Sequence, residues 1–225
     1  MQIIPVIDLK DGIVVHAVRG NRTAYQPIHH ASCLTTDSDI DAVLAGFLTL
    51  YPFKRFYIAD LNAITGKGNH QSLIDVMLLA HPDIEFWLDS GSQLSEIRDG
   101  ARNMKWVIGT ESQQAAPCPT RHDFILSLDY KNDLPADYAG WLKHSQYWPE
   151  RLIVMTLNRV GSNSGPDFAK LQALQQKYPQ KQWIAAGGIR HQQDLTDLKN
   201  AGMQAALVAT ALHNGSFNLP AIQNH

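Results

Sequence analysis

Asp8, Asp129 and Thr156 each follow a short run of aliphatic and β-branched residues, IIPVI, FILSL and LIVM. Two carboxyls at the ends of opposed strands of a closed sheet would face each other across its mouth. One could protonate a bound substrate while the other removes a proton, the division of labour that general acid–base catalysis requires. Burial and mutual repulsion would keep one of them protonated near neutral pH and so supply the acid. A threonine hydroxyl beside them could orient a substrate oxygen or the neighbouring carboxyl. Taken singly, an Asp after a strand also caps helices or opens turns, and Thr is common in strands.

The tract AAGGIR, residues 185–190, places two glycines between a strand-like run and a helical segment. Backbone amides freed by glycine ahead of a helix bind phosphate, so Gly187, Gly188, Ala209 and Thr210 form a candidate cradle. Asp60 and Asp89 end two further runs and add mouth carboxylates, each equally able to bond a loop. In RGNRTAY, Arg19, Arg22 and Tyr25 could bind an anion or cover the site, arginine being able to clamp a phosphate bidentately. His29 and His30 read as a solvated pair.

The elements that would position these residues alternate. Eight strand-like runs precede Asp8, Asp60, Asp89, Gly109, Asp129, Thr156, Gly187 and Ala209, with helical segments over 38–50, 71–80, 95–104, 167–177 and 192–201. Ser38 with Asp41 has the form of a capping box, and Pro166 suits a first helical turn. Strands alternating with helices imply parallel pairing, and eight such units in 225 residues suit a single α/β domain, a TIM (β/α)8 barrel. That fold carries its active site where the strands end. An internal repeat supports closure: IDLKDG resembles LDYKND, DLNAITG resembles TLNRVGS, and WLDSGS resembles WIAAGG, in the same order. The pattern is that of a duplicated half-barrel.

Composition narrows the ligands. At 44% hydrophobic and 18% charged residues with a net charge of −2, the chain is that of a globular protein and offers no basic surface for nucleic acid or membrane. Asp8 and Lys10 interrupt the opening before a signal peptide could form, and no apolar stretch reaches membrane-span length, so a cytoplasmic protein is expected. Cys33 and Cys118 read as free thiols, and the ten histidines match no zinc spacing. The expectation is therefore no metal and no cofactor, a small phosphorylated molecule as ligand, and a monomer by default.

Together, IIPVIDLKDG, IADLNAITGKGN, FILSLD, IVMT and WIAAGGIR resemble the histidine-biosynthesis barrel family, over nearly the whole chain. That family holds the phosphoribosylformimino-aminoimidazole carboxamide ribotide isomerase and the imidazole glycerol phosphate synthase cyclase, and DLNAITGKGN looks more like the isomerase. The resemblance implies an Amadori rearrangement of an aminoaldose phosphate to an aminoketose phosphate without cofactor. Carried over by motif, Asp8 is the general base, Asp129 the general acid and Thr156 the supporting hydroxyl.

The resemblance also implies two phosphate loops, and here this chain departs from it. LDSGSQ stands where the first loop should lie, and a carboxylate at Asp89 would repel a phosphate by about 1–4 kcal/mol. Gly109 and Thr110 keep part of that cradle, while Ala209 replaces the matching glycine after strand eight. YKNDLPADYAGW is short for a covering loop, and 110–122 and the segment after Thr210 look abbreviated. These departures point to a paralogue that keeps the acid and base, an isomerase of a phosphorylated ribotide or sugar phosphate, with a singly phosphorylated carbonyl compound in another pathway, for example one-carbon or pterin cofactor biosynthesis, as an alternative. A non-catalytic barrel that binds a phosphorylated metabolite or a partner protein is the other alternative.

Overall fold

The computed structural model describes residues 1–119 and 123–223. Eight parallel strands form the barrel: β1 (Gln2–Lys10), β2 (Arg55–Asp60), β3 (Glu85–Asp89), β4 (Met104–Gly109), β5 (Phe124–Lys131), β6 (Arg151–Thr156), β7 (Gln182–Ala186) and β8 (Ala205–Val208). Each pairs with the next, and β8 closes the cylinder on β1 with Gln2 opposite Ala205 and Pro5 opposite Val208. All eight sequence runs are strands. The fold is a TIM (β/α)8 barrel.

Period-two alternation sorts the strand residues into two cores. One set fills the barrel, with Ile4, Tyr57, Trp87, Val107, Ile125 and Ile153 among its members. The other faces the surrounding layer, including Ile7, Phe56, Phe86, Leu126, Leu152 and Trp183. At the N-terminal end of the strands an ionic layer plugs the barrel. Glu85 accepts from Arg55 and from the Trp87 indole, each at 2.6 Å, and the Arg55 guanidinium lies 5.0 Å from the Trp87 ring.

Helices Ile40–Leu50, Gln71–Ala80, Phe168–Lys177 and Gln192–Asn200 follow strands β1, β2, β6 and β7. The cap of the first is Asp39, whose Oδ1 accepts from the N–H of Asp41 and Ala42. Ser38 is not that cap: its hydroxyl bonds His29 Nδ1 at 2.8 Å, tying down the loop after β1. Pro166 lies outside the helix it was expected to open, before the cap Asp167, which accepts from Lys170 N–H.

The helix expected over 95–104 does not form. Only Leu94 and Ile97 of this connection are buried, a single turn of apolar spacing, and Arg98 Nη1 takes the Ser95 and Ile97 carbonyls. Met104 already belongs to β4. Nor is there a helix over 110–119; residues 120–122, the end of the abbreviated 110–122 unit, lie outside the described residues. After β5 the chain makes 3-10 turns at Trp141–Lys143 and Ser145–Tyr147. Trp141 and Trp148 are buried there and linked by the Trp148 indole, which donates to the Trp141 carbonyl at 3.0 Å. Two indoles thus cover a flank that helices cover elsewhere.

Of the three repeat pairs, two keep their face. Asp8 and Asp129 both point inward, and Asp60 and Thr156 both turn away from the barrel interior at the ends of β2 and β6. Trp87 and Trp183 do not correspond, because Trp87 fills the barrel while Trp183 packs outside against Trp148. Among the described residues no helix is long and apolar enough to cross a membrane.

Candidate active site

One cavity opens at the C-terminal ends of the strands, with about 1100 Å³ of empty space including that open to solvent at its mouth. Asp8, Asp89 and Asp129 line it from β1, β3 and β5, and Arg22 and Glu111 line it from the loops after β1 and β4. Closure of the sheet brings these distant residues together, with Asp8 and Asp129 on opposed strands.

Asp129 is the most deeply held of these carboxyls. Ser127 Oγ donates to Oδ1 at 2.6 Å, and Glu111 N–H donates to Oδ2 at 3.0 Å. Burial drives its pKa well above the ordinary carboxylate value, the charge of Glu111 adds to the rise, and the Glu111 N–H and Ser127 hydroxyl oppose it. Burial pushes Asp8 up to about 7, the Arg22 charge pulling it back and Asp89 adding to the rise. Asp89 rises to about 6, again through burial, against donors from Gly91 N–H at 3.1 Å and Tyr57 Oη at 2.8 Å. Carboxyls titrating near neutrality in a cleft are poised to donate or accept a proton.

Gly109 and Thr110 pack against Asp129. A Cβ on Gly109 would lie 2.9 Å from Asp129 Oδ2, so glycine makes room for the carboxyl. The fully buried Thr110 hydroxyl accepts from Asp129 N–H at 2.9 Å. Neither residue is among those that line the cavity.

Gly187, Gly188, Ala209 and Thr210 lie together on the β7–β8 side of the cavity, joined by Gly161 and Ser162 of the loop after β6. Gly187 and Gly188 have φ of +99° and +83°, and a Cβ on Gly188 would stand 2.2 Å from the Gly165 carbonyl oxygen. Glycine is required where these loops meet. Asp194, in the first turn of the following helix, takes the Arg190 guanidinium at 2.9 and 3.0 Å and is thereby neutralised.

The remaining expected residues lie off the cavity. Asp60 is buried and accepts from Ala63 N–H, His70 N–H and His70 Nδ1, pinning the loop after β2. Arg19 is exposed at φ +51°, its N–H bonded to the Val160 carbonyl at 2.7 Å; the cavity arginine is Arg22. Thr156 is buried at the end of β6, and alternation presents its neighbour Met155, the register partner of Asp129, to the cavity. Sequence reasoning missed Glu111, Tyr57 and Met155. The alternation in RFYIAD and LIVMT points Tyr57 and Met155 inward, and Glu111 stands just past the end of a strand already recognised.

A closed (β/α)8 barrel with a cavity at the C-terminal mouth is the arrangement in which enzymes of this fold carry their active sites. Within it, the family described as histidine biosynthesis protein matches residues 2–218, and the chain belongs to that family. An uncharacterized protein of Methanocaldococcus jannaschii is 29% identical, over 100% of this chain and 98% of its own length. The 1-(5-phosphoribosyl)-5-((5-phosphoribosylamino)methylideneamino)imidazole-4-carboxamide isomerases of Listeria welshimeri and Pectobacterium atrosepticum are 26% and 25% identical. They are covered over 99% and 96% of their lengths, and this chain over 100% and 96%.

Proposed function

We propose that the protein is an isomerase of the Amadori aldose–ketose type, acting on a phosphorylated ribotide or sugar phosphate by general acid–base catalysis. The observation that carries the reading is the placement of Asp8 and Asp129 on opposed strands in one cavity whose other wall is the Gly187–Gly188 loop. Asp129 protonates the ring oxygen, and the sugar opens to a protonated Schiff base. Asp8 removes the C2 proton to give the enolamine. Return of that proton to C1, with the C2 hydroxyl proton passing back to Asp129, yields the ketone and restores both carboxyls. The phosphate sits at Gly187, Gly188, Ala209 and Thr210 and holds the reacting carbons between the two acids. Thr156, set off the cavity, is assigned no step. No cofactor enters, and we assign the enzyme to the cytoplasm as a monomer.

A narrower reading has its own support. Asp89 stands where relatives named for two phosphoribosyl groups would bring a second phosphate, and 90–103 supplies no helix N-terminus to receive one. We assign the enzyme a singly phosphorylated substrate, as a paralogue in another pathway.

The experiment is a melting-temperature series with the bis-phosphoribosyl ribotide, singly phosphorylated aminosugars and inorganic phosphate, followed by turnover assays. The narrower reading expects stabilisation by singly phosphorylated ligands and little by the ribotide; strong stabilisation and turnover of the ribotide would reject it. Asp8→Asn and Asp129→Asn should each abolish turnover while leaving phosphate binding in place. Unchanged turnover in both would reject the roles of Asp8 and Asp129, and stabilisation by these ligands with turnover of none of them by the unsubstituted protein would leave only a binding barrel.

A further inference from the structure

The acid–base step uses Asp8 and Asp129 but leaves unused the ion pair that lies across the same cavity. Arg22, from the loop after β1, and Glu111, from the turn after β4, meet at 2.5 Å with roughly a third or less of each side chain exposed. The Arg22 end is fixed by Lys10 Nζ, which donates to the Arg22 carbonyl at 3.0 Å from the end of β1. The Glu111 end is fixed to the other acid, because its N–H donates to Asp129 Oδ2 at 3.0 Å. The pair is therefore an oriented dipole. Its cationic end is tied to the strand that carries Asp8, and its anionic end to Asp129.

Such a dipole solves a problem that the symmetry of the barrel creates. Asp8 and Asp129 occupy matching positions on opposed strands and line one cavity, and burial pushes both upward. Those features alone do not decide which is base and which is acid. We propose that Arg22 and Glu111 are positioning residues whose ion pair assigns the roles, Arg22 favouring an ionised Asp8 and Glu111 favouring a protonated Asp129. This rests on the acid–base reading given above.

The groups facing each carboxyl agree with that assignment. Around Asp8 are Arg22, Asp89, Tyr25 and Tyr57, of which Arg22 alone favours the charged form. Around Asp129 are Glu111, Asp89, Ser127, Thr110, Tyr57 and Tyr130. There the Glu111 carboxylate is the leading charge against ionisation. Asp89 acts in the same direction on both and so does not separate them.

The test is a carboxyl 13C NMR titration of the ligand-free protein, labelled at aspartate, in wild type and in the double variant Arg22→Gln/Glu111→Gln. The double variant removes one positive and one negative charge and leaves the net charge unchanged. The Asp8 midpoint should rise by about one pH unit while that of Asp129 falls, so the gap between them narrows. The charge reversal Arg22→Glu/Glu111→Arg is a second route that keeps an ion pair, and it should drive the same two movements further. Restoring the positive charge in Arg22→Lys, with Glu111 in place, should return Asp8 near its wild-type midpoint. Movement of both midpoints in the same direction, or of neither, in whichever of these variants folds would overturn the proposal. The titration needs no substrate, so it reads the ion pair even if turnover fails. Loss of turnover in Asp8→Asn and Asp129→Asn beside an unchanged gap would reject the ion-pair role and leave the isomerase reading standing.

Discussion

Tyr57 Oη donates to Asp89 Oδ2 at 2.8 Å across the β2–β3 pair, joining two inward-facing residues at the mouth of the barrel. The phenol is buried, and burial with the neighbouring Asp89 charge raises its own pKa well above the ordinary tyrosine value, so it stays a donor. Tyr57→Phe keeps the ring and removes one hydrogen bond that favours the charged carboxylate. The Asp89 titration, near pH 6 in the intact protein, should move upward, as read by carboxyl NMR. A downward or absent shift would mean that the hydroxyl does not hold Asp89 ionised.

Gly188 is expected to be intolerant of a side chain. Its φ is +83°, and a Cβ would press on the Gly165 carbonyl, which is backbone and cannot swing aside. Gly188→Ala should lower stability by more than about 1 kcal/mol and weaken binding of inorganic phosphate, measured by urea unfolding and calorimetry. Gly66, also at positive φ but with open space around the Cβ position, is the control: Gly66→Ala should carry the backbone strain without the phosphate effect.

Asp8 should cost stability at alkaline pH. Its folded pKa, about 7, lies above its unfolded value, so the folded state favours the protonated form. The contribution is full below about pH 4 and is lost as pH rises through 7. Asp8→Asn mimics the protonated form and should gain about 1–3 kcal/mol at pH 8.5, roughly 3–10 °C in Tm, with little change at pH 4.5. An equal effect at both pH values would point to packing instead of ionisation.

His213 should act with the opposite sign. It is buried against Phe47 with Nδ1 2.8 Å from Ser32 Oγ, and burial, aided by the charge of His16, depresses its pKa to about 4. Its stabilising contribution is present above about pH 6.5 and is lost as pH falls toward 4, on the order of 2–3 kcal/mol. Urea midpoints at pH 7 and 5 should diverge less in His213→Gln than in the parent protein. Equal divergence in the two proteins would show that other groups carry the acid sensitivity.

The barrel was legible in the sequence because its determinants are local. Seven of the inner strands are short aliphatic or aromatic runs ended by a polar residue or glycine and the eighth, AALV, by Ala209, and eight such runs leave few architectures. Helices with a full apolar stripe were equally legible, Gln71–Ala80 to the residue. The 95–104 segment misled because a helical composition needs a continuous buried face, and only Leu94 and Ile97 found one. Asp8 and Asp129 could be chosen as strand-end carboxyls with inward alternation.

Tertiary structure decided which polar residues share the mouth and which turn away. Asp60 and Asp89 end equivalent runs in the sequence, yet one-residue phase on a pleated strand buries Asp60 against His70 and points Asp89 into the cavity. The same phase exchanges Met155 for Thr156 and separates Trp87 from Trp183. The Arg22–Glu111 pair joins the loops after β1 and β4, and no local pattern encodes it. Residue types and strand periods are written in the chain, whereas pairing across the mouth depends on where closure of the sheet brings separate loops together.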